Sequence, residues 1–171
     1  METIVRHLES RHVNMANYHI FINEQERIAT FTLFNLMGTW CGYQQYRPDC
    51  TKLAKNNPRD GRYYTYCSKD QKAVFGLETF HRPGSLFLTE GLFDAVRLHN
   101  LGFAAVATLT NDPLHLKEWL RMLSRHTVAV CDPGVSGELL AEFGHEKVVC
   151  ETSDLGAMTD DEVRHTMEDY L

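Results

Sequence analysis

Three acids in the second half of the chain could do chemistry together: Glu90, Asp132 and Asp154. Each follows a short apolar or β-branched run, Leu86 to Leu88, Thr127 to Cys131 and Lys147 to Cys150 respectively. If these runs are neighbouring strands of one parallel sheet, the acids stand at adjacent C-terminal tips, where ligands of open α/β sheets bind. Carboxylates converging there would offer hard oxygen ligands to one divalent cation. Acids are also common at strand ends and as helix caps, so spacing leaves a metal site and a structural role both open.

The elements that must place these acids follow from periodicity. The run Leu86-Phe87-Leu88 has no helical spacing and stops at Thr89-Glu90-Gly91, which predicts a buried strand with a carboxylate at its tip. From Gly91 the period changes: Leu92, Phe93, Val96, Leu98 and Leu101 fall near helical spacing, and Asn100 with Gly102 supplies the stop. Phe103 to Leu109 is again strand-like, so the unit reads as a right-handed βαβ crossover. Asp112-Pro113 is expected to open a helix from Leu114 to about Arg125, with Asp112 as N-cap. Further on, a helix is expected over Glu138 to Phe143, and Thr159 with Glu162 fits a capping box for a terminal helix reaching about Tyr170. The alternation predicts a doubly wound, mostly parallel sheet flanked by helices over 85–171. Residues 1–84 read instead as a small strand-rich subdomain. A weak amphipathic helix over 2–14 is followed by strands near 18–22, 28–36, 39–46, 63–67 and 73–77, with a long polar loop at 47–62. The fold class is thus α/β with an α+β front part.

With 171 residues, 43% hydrophobic and 23% charged, the composition is globular. No apolar run approaches the roughly 18 residues needed to span a bilayer, and the N-terminus lacks the order of a signal peptide, so a soluble cytoplasmic protein with no membrane partner is expected. The five cysteines have no Cys-x-x-Cys spacing and are expected as reduced thiols, and no histidine pair has metal-ligand spacing. The net charge of −6 argues against nucleic acid, but it is unevenly spread. Residues 42–82 hold eight of the 17 Lys+Arg and four of the 23 Asp+Glu. That basic stretch is interleaved with Tyr43, Tyr46, Tyr63, Tyr64 and Tyr66, a combination that can hold a phosphate backbone and stack bases. It can equally be a solvated loop between tyrosine-rich strands.

Leu86-Phe-Leu-Thr-Glu-Gly-Leu-Phe-Asp-Ala-Val-Arg-Leu-His-Asn-Leu-Gly-Phe103, followed by Ala105-Val-Ala-Thr-Leu109, closely resembles the Toprim core of bacterial and phage DnaG-type DNA primases. Val128-Ala-Val-Cys-Asp-Pro-Gly-Val-Ser-Gly137 is similar to that family's Asp-Gly-Asp-x-Ala-Gly segment, and Ser153-Asp154 to its later Asp. Ile28 to Tyr46 and Tyr63 to Leu77 resemble the basic, strand-rich subdomain that precedes Toprim in primases, so the resemblance covers about residues 18 to 165. It implies RNA primer synthesis on single-stranded DNA by Mg²⁺- or Mn²⁺-dependent nucleotidyl transfer. By the same resemblance Glu90 would be the general acid/base or a metal ligand, and Asp132 and Asp154 would help hold the ion. Arg62, Lys69 and Lys72 would face template or nucleotide, and Asp94 matches a family Asp that also complements a helix N-terminus. The implied partners are single-stranded DNA, nucleotides and a replicative helicase or other replication protein that selects the template; if the chain is phage-encoded, its compartment is the host cytoplasm.

Two departures from the family pattern stand out. Gly134 replaces the second Asp of Asp-x-Asp, which removes a ligand, and Leu109-Thr110-Asn111-Asp112 replaces the Gly-Thr after the second strand. Asp112 would be the compensating acid at the neighbouring tip. Two alternatives therefore stand beside the primase reading: a catalytically degenerate Toprim module acting as a nucleic-acid or protein-binding accessory or inhibitor, and a Toprim nuclease.

Overall fold

The computed structural model describes residues 2–52, 54, 56–150 and 154–170. The chain forms two compact units, Met1–Ala73 and Val74–Leu171.

The first unit is an antiparallel meander in the order β1 (Ile20–Asn23), β2 (Ile28–Asn35), β3 (Trp40–Tyr46), β4 (Tyr63–Cys67). Alternation along these strands makes two different faces. Ala29, Phe31 and Leu33 of β2 are fully buried, and through the register they share a face with Gln44 and Tyr46. Helix α1 (Ile4–Ser10) belongs to the same core. Ile4 and Leu8 are fully buried, Thr3 accepts from Arg6 N–H, and Glu24 accepts from Ile4 N–H at 3.0 Å. His7 Nε2 lies 2.9 Å from the Tyr46 hydroxyl. The opposite face carries Phe21, Thr30, Thr32, Tyr43, Gln45, Tyr64 and Tyr66. A two-residue strand, β5 (Ala73–Val74), falls at the unit boundary.

The second unit is a parallel sheet in the order β7 (Ala104–Ala107), β6 (Leu86–Thr89), β8 (Thr127–Cys131), β9 (Glu146–Val149). Every residue of β6, β7 and β8 is buried, which is why these strands read as continuous apolar runs instead of alternating ones. Helices α2 (Leu92–Asn100), α3 (Lys117–Met122), α4 (Val135–Ala141) and α5 (Asp160–Glu168) flank the sheet. Phe75 bridges Ala107, drawing the segment after β5 into this unit. Arg125 pins the approach to β6: its guanidinium donates to the carbonyls of Phe80, Arg82, Gly84 and Ser85. Arg97, buried in α2, pairs with Asp160 and donates to the Met158 carbonyl, which ties α2 to the start of α5. The Thr159–Glu162 capping box forms as the sequence predicts.

The helix expected from Leu114 starts differently. Leu114–Leu116 is a 3-10 turn and α-helix begins only at Lys117. Pro113, not Asp112, occupies the cap, and Asp112 contributes its backbone carbonyl to Leu114 N–H at 3.0 Å. The helix after β8 starts three residues earlier than the periodicity suggests, at Val135, and the last helix ends at Glu168.

Candidate functional site

Strand order fixes where a site belongs. The chain leaves β6 for β7 on one side, then returns to build β8 on the other. The crevice at the carboxyl ends of β6 and β8 is therefore a topological switch point, where open α/β sheets bind ligands. Glu90 follows β6 and Asp132 follows β8, so both stand at this crevice. They line one recess together with Asp94, Ser136, Gly137 and Cys150, with a free volume of ≈ 10 Å³, enough for one water or one small ion.

Glu90 is held from two sides. Its backbone carbonyl accepts from Leu109 N–H at 3.0 Å, and one carboxylate oxygen accepts from the Ser136 hydroxyl at 3.3 Å. Ser136 in turn accepts from the Asn111 amide at 3.0 Å. Neither Ser136 nor Asn111 was singled out as functional from the sequence. The available signal was a hydroxyl in the first turn after Asp132, at the place of the family's Ala. Leu109 has φ 65°, a left-handed conformation that costs a branched residue energy. The strain falls at the position where the sequence departs from the family's Gly-Thr.

Asp132 begins the short loop that leads from β8 into α4. Gly134 has φ 98° and ψ −170°, a region that is essentially glycine-only, so an Asp cannot simply be restored there without moving the backbone. Gly137 meets the opposite constraint, close approach: a Cβ would sit 2.0 Å from the Asp132 carbonyl oxygen. The two glycines let α4 start directly against the end of β8. Asp94 lies in the first turn of α2, its carboxylate over Gly91. Asp154 caps the turn Leu155–Ala157 by accepting from Ala157 N–H at 3.0 Å. Ser153, its neighbour in the family motif, lies outside the described residues. The negative field at the recess is felt by Cys150, whose thiol is pushed up to about 12, first by burial and then by Asp94, Asp132, Cys131 and Asp154.

Among the described residues, no three His, Cys, Asp or Glu side chains gather closely enough to form a protein cage for a metal. Mg²⁺ rarely needs one, since it usually takes one or two carboxylates and completes its shell with water and substrate phosphates. Glu90 and Asp132, two hard donors on one recess of single-ion size, fit that requirement.

Other expected site residues lie elsewhere. Asp112 is exposed and is not among the residues lining the recess. Arg62 is half-buried in the first unit, its Nε donating to the Cys50 carbonyl at 3.0 Å, so it braces the 47–62 loop. Lys69 and Lys72 are exposed in the turn after β4. Lys55 of the basic stretch is outside the described residues. All five cysteines are free thiols.

No protein-family model matches the chain, and no curated protein matches it. Solved structures do. The primase fragment of the bacteriophage T7 primase-helicase aligns with 91% of this chain and 67% of its own at 14% identity, TM-score 0.64. A DnaG catalytic core aligns with 99% of this chain and 73% of its own at 16% identity, TM-score 0.64. The E. coli primase catalytic core aligns with 98% and 61% at 18% identity, TM-score 0.59. The chain therefore has the fold of primase catalytic cores, of which the Toprim domain is part. Among the described residues no helix is long and apolar enough to cross a membrane.

Proposed function

We propose that this protein is a primase-like nucleotidyltransferase that makes RNA primers on single-stranded DNA. The observation that carries this reading is the pairing of Glu90 and Asp132 on one ion-sized recess at the switch point of a primase-core fold. Mg²⁺ or Mn²⁺, when bound, would lower the pKa of a 3′-hydroxyl and neutralise charge on the phosphate. The chain's own contributions are orientation and charge. The Ser136 hydroxyl holds the Glu90 carboxylate toward the recess, and Asn111 holds Ser136. From that position Glu90 can accept the hydroxyl proton or face the ion, and Asp132 supplies the second carboxylate. Asp94 lines the same recess, and Asp154 adds negative potential to it while one of its oxygens caps the turn Leu155–Ala157. Solved relatives of this fold include a DnaG catalytic domain bound to single-stranded DNA and T7 primase domains bound to an RNA/DNA hybrid. Those partners support single-stranded DNA and nucleotides as ligands here, with Lys69 and Lys72 as exposed cations, and the T7 primase-helicase supports a replicative helicase as a partner.

The test is primer synthesis on single-stranded template with ribonucleotides and Mg²⁺ or Mn²⁺. Glu90→Gln should reduce product at least about 100-fold while circular dichroism and melting stay as in wild type. Unchanged synthesis would sink the proposal. A second reading has its own observation: Gly134 occupies a glycine-only conformation where a ligand would be, which suits a Toprim scaffold retained for binding after catalysis was lost. That reading predicts no product from the wild type and no calorimetric metal binding. Nicking of duplex DNA or structured RNA by the wild type would instead indicate a nuclease.

A further inference from the structure

The outward face of the first unit's sheet is lined with rings. Phe21 on β1, Tyr43 on β3, and Tyr64 and Tyr66 on β4 share that face by register. Phe21 is 66% exposed and Tyr66 46%, and Tyr43 and Tyr64 on the same face are half-buried, so all four rings present surface to solvent. The rings are ordered in advance. Tyr43 and Tyr66 stack with centroids 5.3 Å apart, Tyr43 and Tyr64 are 6.3 Å apart, and the Arg59 guanidinium lies 5.7 Å over Tyr64.

Cations frame these rings. Arg59 lies in the 3-10 turn Pro58–Asp60 that precedes β4, and Lys69 and Lys72 follow the strand's end. On the same face Arg47 donates to Gln45 at 2.6 Å. Over 59–72 the sequence holds Arg59, Arg62, Lys69 and Lys72 against Asp60 and Asp70, so cations outnumber acids around this strand. Rings for base faces, with cations at both ends of the strand for phosphates, are the two ingredients of sequence-tolerant single-strand binding. A protein partner would have no use for cations at both ends of an aromatic row unless it were acidic. We propose that this face is a base-stacking platform for single-stranded nucleic acid, with Tyr43, Tyr64, Tyr66 and Phe21 as the stacking residues.

The choice of occupant rests on the nucleic-acid reading above, but the site lies wholly within the first unit and needs neither metal nor nucleotides. The experiment is fluorescence anisotropy with a labelled oligothymidylate and with an abasic oligonucleotide of the same length, both without divalent metal. Tyr66→Ala should weaken oligothymidylate binding about 5- to 150-fold, Tyr66→Phe should bind like wild type, and Phe21→Ala on the far strand should also weaken binding. The abasic probe should bind wild type and Tyr66→Ala equally, because only its phosphates engage. Oligothymidylate affinity unchanged in both alanine variants, or an equal loss for both probes, would overturn the proposal; unchanged affinity would turn the search to an acidic protein. Absence of primer synthesis would count against the nucleotidyl-transfer reading and leave this result untouched.

Discussion

The two sheets put side chains to work in opposite ways. In the parallel sheet β6, β7 and β8 are buried throughout, so a ligand can be met only where strands stop, which is where Glu90 and Asp132, the proposed site, stand. In the antiparallel sheet one face is covered and the other is open in part, with Phe21 and Tyr66 exposed, Thr30, Tyr43, Gln45 and Tyr64 half-buried, and Thr32 and Cys41 buried. One unit thus offers a point of negative charge at the strand tips, with Glu90 half-buried and Asp132 exposed. The other offers an extended aromatic and basic surface. A point site suits a reacting phosphate and an extended one suits a chain of bases, so the difference in burial predicts a division of labour.

Truncation should expose that difference most strongly. Phe87 is fully buried in β6 and packs edge-on to Phe103 at 5.5 Å, so Phe87→Ala should cost about 3–5 kcal/mol. Tyr66→Ala on the open face should cost under about 1 kcal/mol, its loss appearing in oligonucleotide affinity instead. Urea denaturation of both variants makes the comparison, and equal costs would break it.

Burial inside the second unit also predicts a pH dependence. Burial lowers His99 to about 4, opposed by its hydrogen bond to the Ala105 carbonyl and reinforced by Arg82. The unfolded chain takes up this proton near 6.5, so between about 6.5 and 4 the unfolded state binds more protons and stability falls as pH drops. The loss from this group is about 3 kcal/mol at most, with no contribution above 6.5. An NMR titration of His99 should show its midpoint near 4, and a midpoint near 6.5 would place water in that interior.

Gly134→Asp sharpens the comparison at the site itself. Returning the carboxylate forces an L side chain into φ 98°, ψ −170°, which should cost about 1–3 kcal/mol and leave metal affinity no higher. A gain in affinity by calorimetry at unchanged melting temperature would contradict the glycine-only account of this loop.

Much of this was legible in the residues. Apolar runs without helical spacing marked β6 and β8, and the change of period at Gly91 marked α2. The capping box at Thr159 needs only local chemistry and formed as read. Long-range contacts left no such trace. Ser136 reaches Glu90 across 46 positions, and Arg125 reaches back to Phe80 across 45, and neither pairing has a local pattern. The cap at Asp112 failed because Pro113 and the following 3-10 turn took over the start of the helix, and Asp112 gave its carbonyl instead. The absence of an Asp at Gly134 was visible, whereas the glycine-only backbone that explains it is a property of the folded loop.

The most direct measurement is primer synthesis by wild type and Glu90→Gln, with oligothymidylate affinity measured on the same preparations. The account predicts metal-dependent product from wild type, a loss of at least about 100-fold in Glu90→Gln, and equal affinity in both. Product that survives Glu90→Gln, or that never forms with wild type although the oligonucleotide is bound, would contradict it.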